Sequence, residues 1–190
     1  MDKVTFTRMA DGTKEEYELL AGYGTTFTAG LADRIIFALT ELDRDETGYR
    51  VSRLTHCLQT ATRAQRDDRD VEYLVMAAVH DIGDTLAPFT HSEMIGAVLR
   101  PFVRPEVCWI AKHHGVFQDL YYAHFYGRDR NARDAYRGHE WFDACAEFCE
   151  LYDQRSFDPD YDTLPLDFFE PMIRQVFAEP RYLERAVAEV

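Results

Sequence analysis

Apolar side chains recur at helical spacing along almost the whole chain, and nowhere do they alternate with the period of two that a half-buried strand requires. A chain patterned this way can bury its stripes only by packing helix on helix, so the expected fold class is all-α. Thr13-Lys14-Glu15-Glu16 has the form of a capping box and opens a short helix through Leu19 and Leu20. Gly22, Gly24 and Gly30 then read as a loop, after which Asp33 caps a second helix carrying Ile35, Ile36, Leu39 and Leu42. A third helix is expected from about Arg50 to Ala64. The charged turn Arg66-Asp67-Asp68-Arg69-Asp70 separates it from a fourth, Val71 to His80, with Gly83 as the stop. His91 to Arg100 forms a fifth, ended by Pro101. Pro105 opens a sixth that reaches Gly115, with Val107, Ile110, Ala111 and His114 along one face. Past an aromatic stretch (Phe117, Tyr121, Tyr122, Phe125, Tyr126), a helix is expected from His139 to Asp153. A last amphipathic helix carries Met172, Ile173, Val176 and Phe177, with Pro171 in its first turn.

The length of 190 residues fits one domain with a real core. A formal net charge of −13 repels a nucleic-acid backbone, and no apolar run approaches the roughly 18 residues of a membrane span. Met1-Asp2-Lys3-Val4-Thr5 lacks the pattern of a signal peptide, so a soluble cytoplasmic protein acting on a small molecule is expected, with neither nucleic acid nor membrane as partner. Cys57, Cys108, Cys145 and Cys149 read as small buried hydrophobes rather than as a zinc site.

The chemistry sits in six residues. His80 and Asp81 are adjacent at the end of an apolar run, with His56 upstream and His91, His114 and Asp153 downstream. Each position falls on a different helix or helix end, which is how bundles assemble metal sites in their cores. Imidazole and carboxylate suit iron, manganese or zinc, and six donors exceed what one ion needs. A carboxylate such as Asp81 can join two ions. Of the neighbouring pair His113 and His114, the second continues the Val107/Ile110/Ala111 face while the first is rotated by roughly 100°. His114 is therefore taken as the ligand, and His113 is left as a supporting or substrate residue. His124 and His139 are read as structural or surface residues.

In this set of residues the chain resembles the HD-domain superfamily over roughly His56 to Asp153. Its extra histidines, His91 and His114, resemble those of the dinuclear branches. It is most similar to the mixed-valent diiron oxygenases, the group of inositol oxygenase and the enzymes that cleave 1-hydroxyalkylphosphonates. The run His56-Cys57-Leu58-Gln59-Thr60-Ala61 and the stretch His91-Ser92-Glu93-Met94-Ile95-Gly96-Ala97 look like motifs of the phosphonate-cleaving members. The resemblance implies an HD-type helical bundle with a metal-binding core over about 50–155, flanked by N-terminal helices (13–45) and C-terminal helices (166–190). It implies two iron ions, Fe(II)/Fe(III), with O2 as co-substrate. One iron would be held by His56, His80 and Asp153, the other by His91 and His114, with Asp81 bridging; His80 and Asp81 are the essential catalytic pair.

Departures from the family pattern bear on the substrate. Inositol oxygenase has a lysine, and phosphonate-cleaving relatives a histidine, where this chain has Asp84. Those relatives have another lysine where this chain has Gln118. Their Tyr-x-x-Glu, in which the tyrosine covers an iron, becomes Glu46-Thr47-Gly48-Tyr49. Glu46, Tyr49, Asp84 and Gln118 are accordingly the expected substrate-binding residues. Carboxylates in place of cations point to a substrate with an ammonium end, such as a 1-hydroxy-2-(trimethyl)aminoethylphosphonate-like compound, with the aromatic stretch supplying cation–π contacts. The expected activity is O2-dependent cleavage of a C–P or C–C bond. The alternative is a divalent-metal phosphohydrolase acting on a nucleotide or other phosphate ester, with Arg53, Arg63 and Lys112 as phosphate contacts.

Overall fold

The structure, a computed structural model, describes residues 2–44 and 48–188; Glu46, one of the expected substrate contacts, lies outside them. The described residues contain no strand, and the chain is an all-α bundle. Its helices are α1 (Lys14–Ala29), α2 (Leu31–Glu41), α3 (Arg53–Arg66), α4 (Val71–Val79), α5 (His91–Leu99), α6 (Pro105–Tyr122), α7 (Phe142–Glu147), α8 (Leu166–Phe177) and α9 (Leu183–Ala188), joined by short single-turn segments.

The bundle is organised around α4. Tyr73 through Val79 are all buried, as expected of a helix that is apolar on every side. It packs along α3 and against α6 and α8, while α5 and α6 form a second close pair. Asp70 starts α4 by accepting hydrogen bonds from the backbone N–H groups of Glu72 and Tyr73 at 3.0 and 3.2 Å. Ser52 starts α3 in the same way, accepting from Thr55 N. The loop after residue 155 is tied back onto α3. Gln59 Nε2 donates to Asp158 O at 2.6 Å, and Thr62 Oγ1 accepts from Leu164 N at 3.1 Å. Two polar side chains on the buried face of α3 thereby fix the segment that closes the site from below. No helix among the described residues is long and apolar enough to cross a membrane.

Four boundaries differ from the sequence expectation. The capping box at Thr13 and Glu16 forms as expected, but α1 continues through Gly22 and Gly24 to Ala29. A glycine inside a helix costs only about 1 kcal/mol relative to alanine, too little to impose a stop. Asp33 does not cap α2, which begins at Leu31; its carboxylate instead pairs with Arg174 of α8 at 2.6 Å. α6 runs past Gly115 to Tyr122 because that glycine is a point of close approach: a Cβ there would lie 2.6 Å from Ser92 Oγ of α5. Pro171 sits at the sixth position of α8, not in its first turn. The lost backbone hydrogen bond is offset by burial of Phe169, Ile173, Val176 and Phe177 against the bundle.

The expected helix from His139 to Asp153 also divides. α7 covers only Phe142–Glu147, then Phe148–Tyr152 form a π-helical turn and Asp153–Arg155 a 3-10 turn. The wider π turn shifts Asp153 off the four-residue line it would share with Cys149 on a regular α-helix.

Candidate metal centre

The six donors come from separate parts of the bundle and meet at its centre. His56 lies in the first turn of α3, His80 and Asp81 just beyond the last turn of α4, and His91 at the first position of α5. His114 is in the middle of α6, and Asp153 follows the π turn. α4 ends where it does because Asp81 leaves helical geometry (φ −105°, ψ 8°) and the chain enters the turn Ile82–Thr85. That break aims two consecutive side chains, His80 and Asp81, at the same point. Gly83 makes room for the next donor: a Cβ on it would come within 2.9 Å of the His91 backbone.

Three of the imidazoles are oriented by main-chain carbonyls. His56 Nδ1 is 3.0 Å from Ser156 O, His80 Nδ1 2.8 Å from Ala77 O, and His114 Nδ1 2.7 Å from Ala111 O. A carbonyl only accepts, so each Nδ1 carries a proton and each Nε2 is left to face the centre. His91 differs: its Nδ1 lies 3.1 Å from Asp84 Oδ1, a side-chain partner.

The Nε2 atoms converge in two pairs. His56 and His80 are 3.1 Å apart at Nε2, and so are His91 and His114. Asp153 Oδ1 stands 3.1 Å from His56 Nε2 and 3.6 Å from His80 Nε2. Asp81 divides its oxygens between the pairs. Its Oδ2 is 3.6 Å from both His56 and His80, and its Oδ1 is 3.3 Å from His114 and 3.5 Å from His91.

Lone pairs facing each other at such distances repel unless a cation lies among them. Asp153 Oδ2 adds to this demand, for it is buried and accepts no hydrogen bond from any described residue. The same demand appears in the protonation behaviour. Burial alone would depress the His80 pKa, yet the neighbouring Asp81, Cys57 and Asp153 hold it well above the usual histidine value. Burial would raise Asp81, yet His80, His114 and His56 hold it well below the usual carboxylate range. The buried His/Asp groups could therefore hold a metal ion, and the donors present fit one. Donor atoms 3.1 to 3.6 Å apart could each reach an ion about 2.1 Å away.

A cavity of about 420 Å³ opens onto the cluster. His56, Asp81, His91, His114 and Asp153 form its floor, and Tyr49, Pro88, Gln118, Tyr121, Tyr122, Tyr126 and Phe157 are among its walls. Tyr49 packs on Phe157 with ring centroids 4.7 Å apart, and Phe157 stacks on the His56 ring at 4.3 Å. Gln118, four residues after His114, shares its face of α6 and reaches the same cavity. Asp84 lines it as well, but with its carboxylate engaged: Oδ1 by His91 and Oδ2 by Arg53 Nη2 at 2.9 Å. Burial and the nearby charge of Asp81 raise the Asp84 pKa to about 6. Phe125 does not line the cavity and is largely exposed.

Arg53, which the sequence offered as a phosphate contact of the alternative reading, is instead engaged with two carboxylates of the site. Its guanidinium spans Asp81 Oδ2 at 3.0 Å and Asp84 Oδ2 at 2.9 Å inside the cavity. Its position one helical turn before His56 was the available signal of that placement. The other two cations behave differently. Arg63 donates to Arg155 O and stacks over Tyr161, and Lys112 lines neighbouring surface grooves rather than the cavity over the cluster. His113 stacks on Trp109 at 4.1 Å and His139 covers the indole's other face at 4.2 Å, outside the donor groups. A larger groove of about 650 Å³ runs past that aromatic sandwich and touches none of the six donors. The titratable groups converge on the smaller cavity, which is the candidate site. Comparison of the sequence with protein-family models and with curated proteins returns no match.

Proposed function

We propose that the chain is a dinuclear HD-type metalloenzyme, specifically a diiron oxygenase that cleaves a C–P or C–C bond in a small hydroxylated substrate. The observation that carries this reading is the division of the Asp81 carboxylate between two histidine pairs, one pair to each oxygen. A carboxylate so placed can join two ions a few ångströms apart. His56, His80 and Asp153 would complete the ligands of one ion, and His91 and His114 those of the other. Imidazole and carboxylate donors together suit iron, manganese or zinc, and four imidazoles disfavour magnesium.

A mixed-valent iron pair would supply one-electron chemistry and the activation of O2. The chain's own residues set the stage for it. An ion held by His91, His114 and Asp81 would have only three protein donors, which would leave room for a hydroxyl and an adjacent anionic oxygen of the substrate. Arg53 puts positive charge beside that position, as a phosphonate requires. Tyr121, Tyr122 and Tyr126 offer ring faces to the far end, as an ammonium or trimethylammonium group requires. These features support a 1-hydroxy-2-(trimethyl)aminoethylphosphonate-like substrate. The test is metal analysis with EPR on protein grown with iron and partly reduced. Two irons per chain and the signal of a coupled Fe(II)/Fe(III) pair are expected. Zinc or magnesium alone, with no such signal after iron reconstitution, would sink the oxygenase reading.

One observation favours a second reading. A guanidinium beside a shared carboxylate and two metal positions also suits the hydrolysis of a phosphate ester, where it would bind the phosphoryl oxygens. Phosphate release from nucleotides without O2 uptake would decide for this alternative.

A further inference from the structure

The two halves of the donor cluster are not built alike. In the half formed by His56 and His80, both rings are at most 2% exposed and both Nδ1 atoms are anchored on main-chain carbonyls. These orientations cannot change without local unfolding. In the other half, His114 is anchored in the same manner. His91 is not: its side chain is 25% exposed, and its Nδ1 partner is the Asp84 carboxylate. Its backbone is pressed against Gly83, which fixes where the side chain starts, and the orientation of the ring is left to side-chain partners. Asp84 is in turn held by Arg53, whose two terminal nitrogens grip Asp84 and Asp81 together.

We infer that Arg53 and Asp84 form a clamp that positions His91, and that the His91–His114 half is therefore a conditional metal position, filled more weakly than the other and dependent on these two side chains. This rests on the dinuclear reading given above. The planar, forked guanidinium matches two carboxylates at once, a geometry lysine's single ammonium does not reproduce. With the fork in place, Asp84 Oδ1 faces His91 Nδ1 and turns Nε2 toward His114 and Asp81. Without it, Asp84 can swing away and His91 loses the partner that selects its orientation. The charge of the pair matters too: Asp84 strengthens the donor power of His91 through the shared proton, as partners of metal-bound histidines do. Asp84 and Arg53 are thus positioning residues, where the sequence reading had expected a substrate contact and a phosphate contact.

The test is a titration of the full-length, metal-stripped protein with Mn(II) alone, following stoichiometry by equilibrium dialysis and pairing by EPR. Wild type is expected to bind two ions per chain and to show an exchange-coupled Mn(II) pair. Asp84→Ala is expected to keep the first ion at unchanged affinity and to bind the second about 10–100-fold more weakly. Its coupled signal is then replaced by that of an isolated Mn(II). Asp84→Asn keeps an acceptor for Nδ1–H but no charge, and is expected to weaken the second ion selectively by a smaller factor. It carries the test if the alanine variant does not fold. Arg53→Lys is expected to follow the same pattern. Two ions at wild-type affinity in these variants would overturn the clamp. So would equal loss of both ions, which marks a general structural role. Fewer than two ions in wild type would instead overturn the dinuclear reading, before any substitution is considered.

Discussion

His56 and His80 point their Nε2 atoms at each other across 3.1 Å while each Nδ1 is tied to a backbone carbonyl. At that distance a proton or a metal ion must lie between the two nitrogens, and a metal bound only by the folded state stabilises it. Chelation is therefore expected to lower the melting temperature, and restoring metal at about 100 times its dissociation constant to add about 2.7 kcal/mol of stability. Differential scanning calorimetry with and without chelator checks this; identical melting curves would contradict it.

Because Asp81 serves both pairs, its removal differs in kind from the removal of a histidine. Asp81→Ala is expected to abolish loading of both ions and all activity. His80→Ala abolishes activity and loading of the His56 half. Metal analysis by mass spectrometry after dialysis reads the difference directly. An active variant without metal would remove the basis of the proposed chemistry.

Gly83→Ala adds a methyl group 2.9 Å from backbone atoms of His91. Backbone cannot yield as a side-chain tip can, so overpacking of about 1–3 kcal/mol is expected. The start of α5 should shift with it. Urea denaturation would show the lost stability, and Mn(II) binding would show whether His91 has moved. A silent substitution on both counts would mean that the turn after Asp81 has slack the structure does not indicate.

The legible part of this chain was the part governed by periodicity. The stripes of α2 through α6 and α8 follow from the spacing of residues such as Leu39, Leu74, Ile110 and Ile173, all at most 5% exposed. The meeting of the six donors could be expected because they were spread over several helices and helix ends, with His80 and Asp81 sharing one. What escaped was set by tertiary contacts. Gly115 looks like a stop but serves the approach of α5 to α6, and nothing local in Phe148–Tyr152 announces a π turn. The link between Arg53, Asp84 and His91 joins three residues from different elements, which the sequence assigned to three separate roles.

Asp70 provides a pH-dependent contribution away from the cluster. Burial works against its ionisation, but Arg104 and the N–H groups of Tyr73 and Glu72 outweigh it and hold the carboxyl below its ordinary value of 3.8. A native pKa below the unfolded one means that the native state binds the proton less readily. The contribution is thus present above the unfolded pKa and is lost as pH falls through the native one. Asp70→Ala is expected to cost about 1 kcal/mol at neutral pH through the lost cap. The gap from wild type should narrow as the solution is acidified below 3.8. Urea midpoints at neutral and acid pH measure both, and a gap that widens in acid would reverse the assignment.

The tyrosine wall permits a test that separates charge from bulk. Tyr121 is partly buried and lines the cavity beside the floor residues, with its ring available to a ligand's cationic end. A cation–π contact contributes about 0.5–2 kcal/mol, equivalent to about a 2- to 30-fold change in affinity. Tyr121→Leu keeps apolar volume but removes the ring. Binding of a quaternary-ammonium alcohol to the metal-loaded protein should then weaken by that factor. Its neutral tert-butyl isostere, matched in shape, should bind both proteins alike. Competition calorimetry with the two ligands gives the comparison. An equal loss for both would make the ring a hydrophobic wall and leave the ammonium end of the proposed substrate without support, whereas a loss confined to the cation ties Tyr121 to charge recognition.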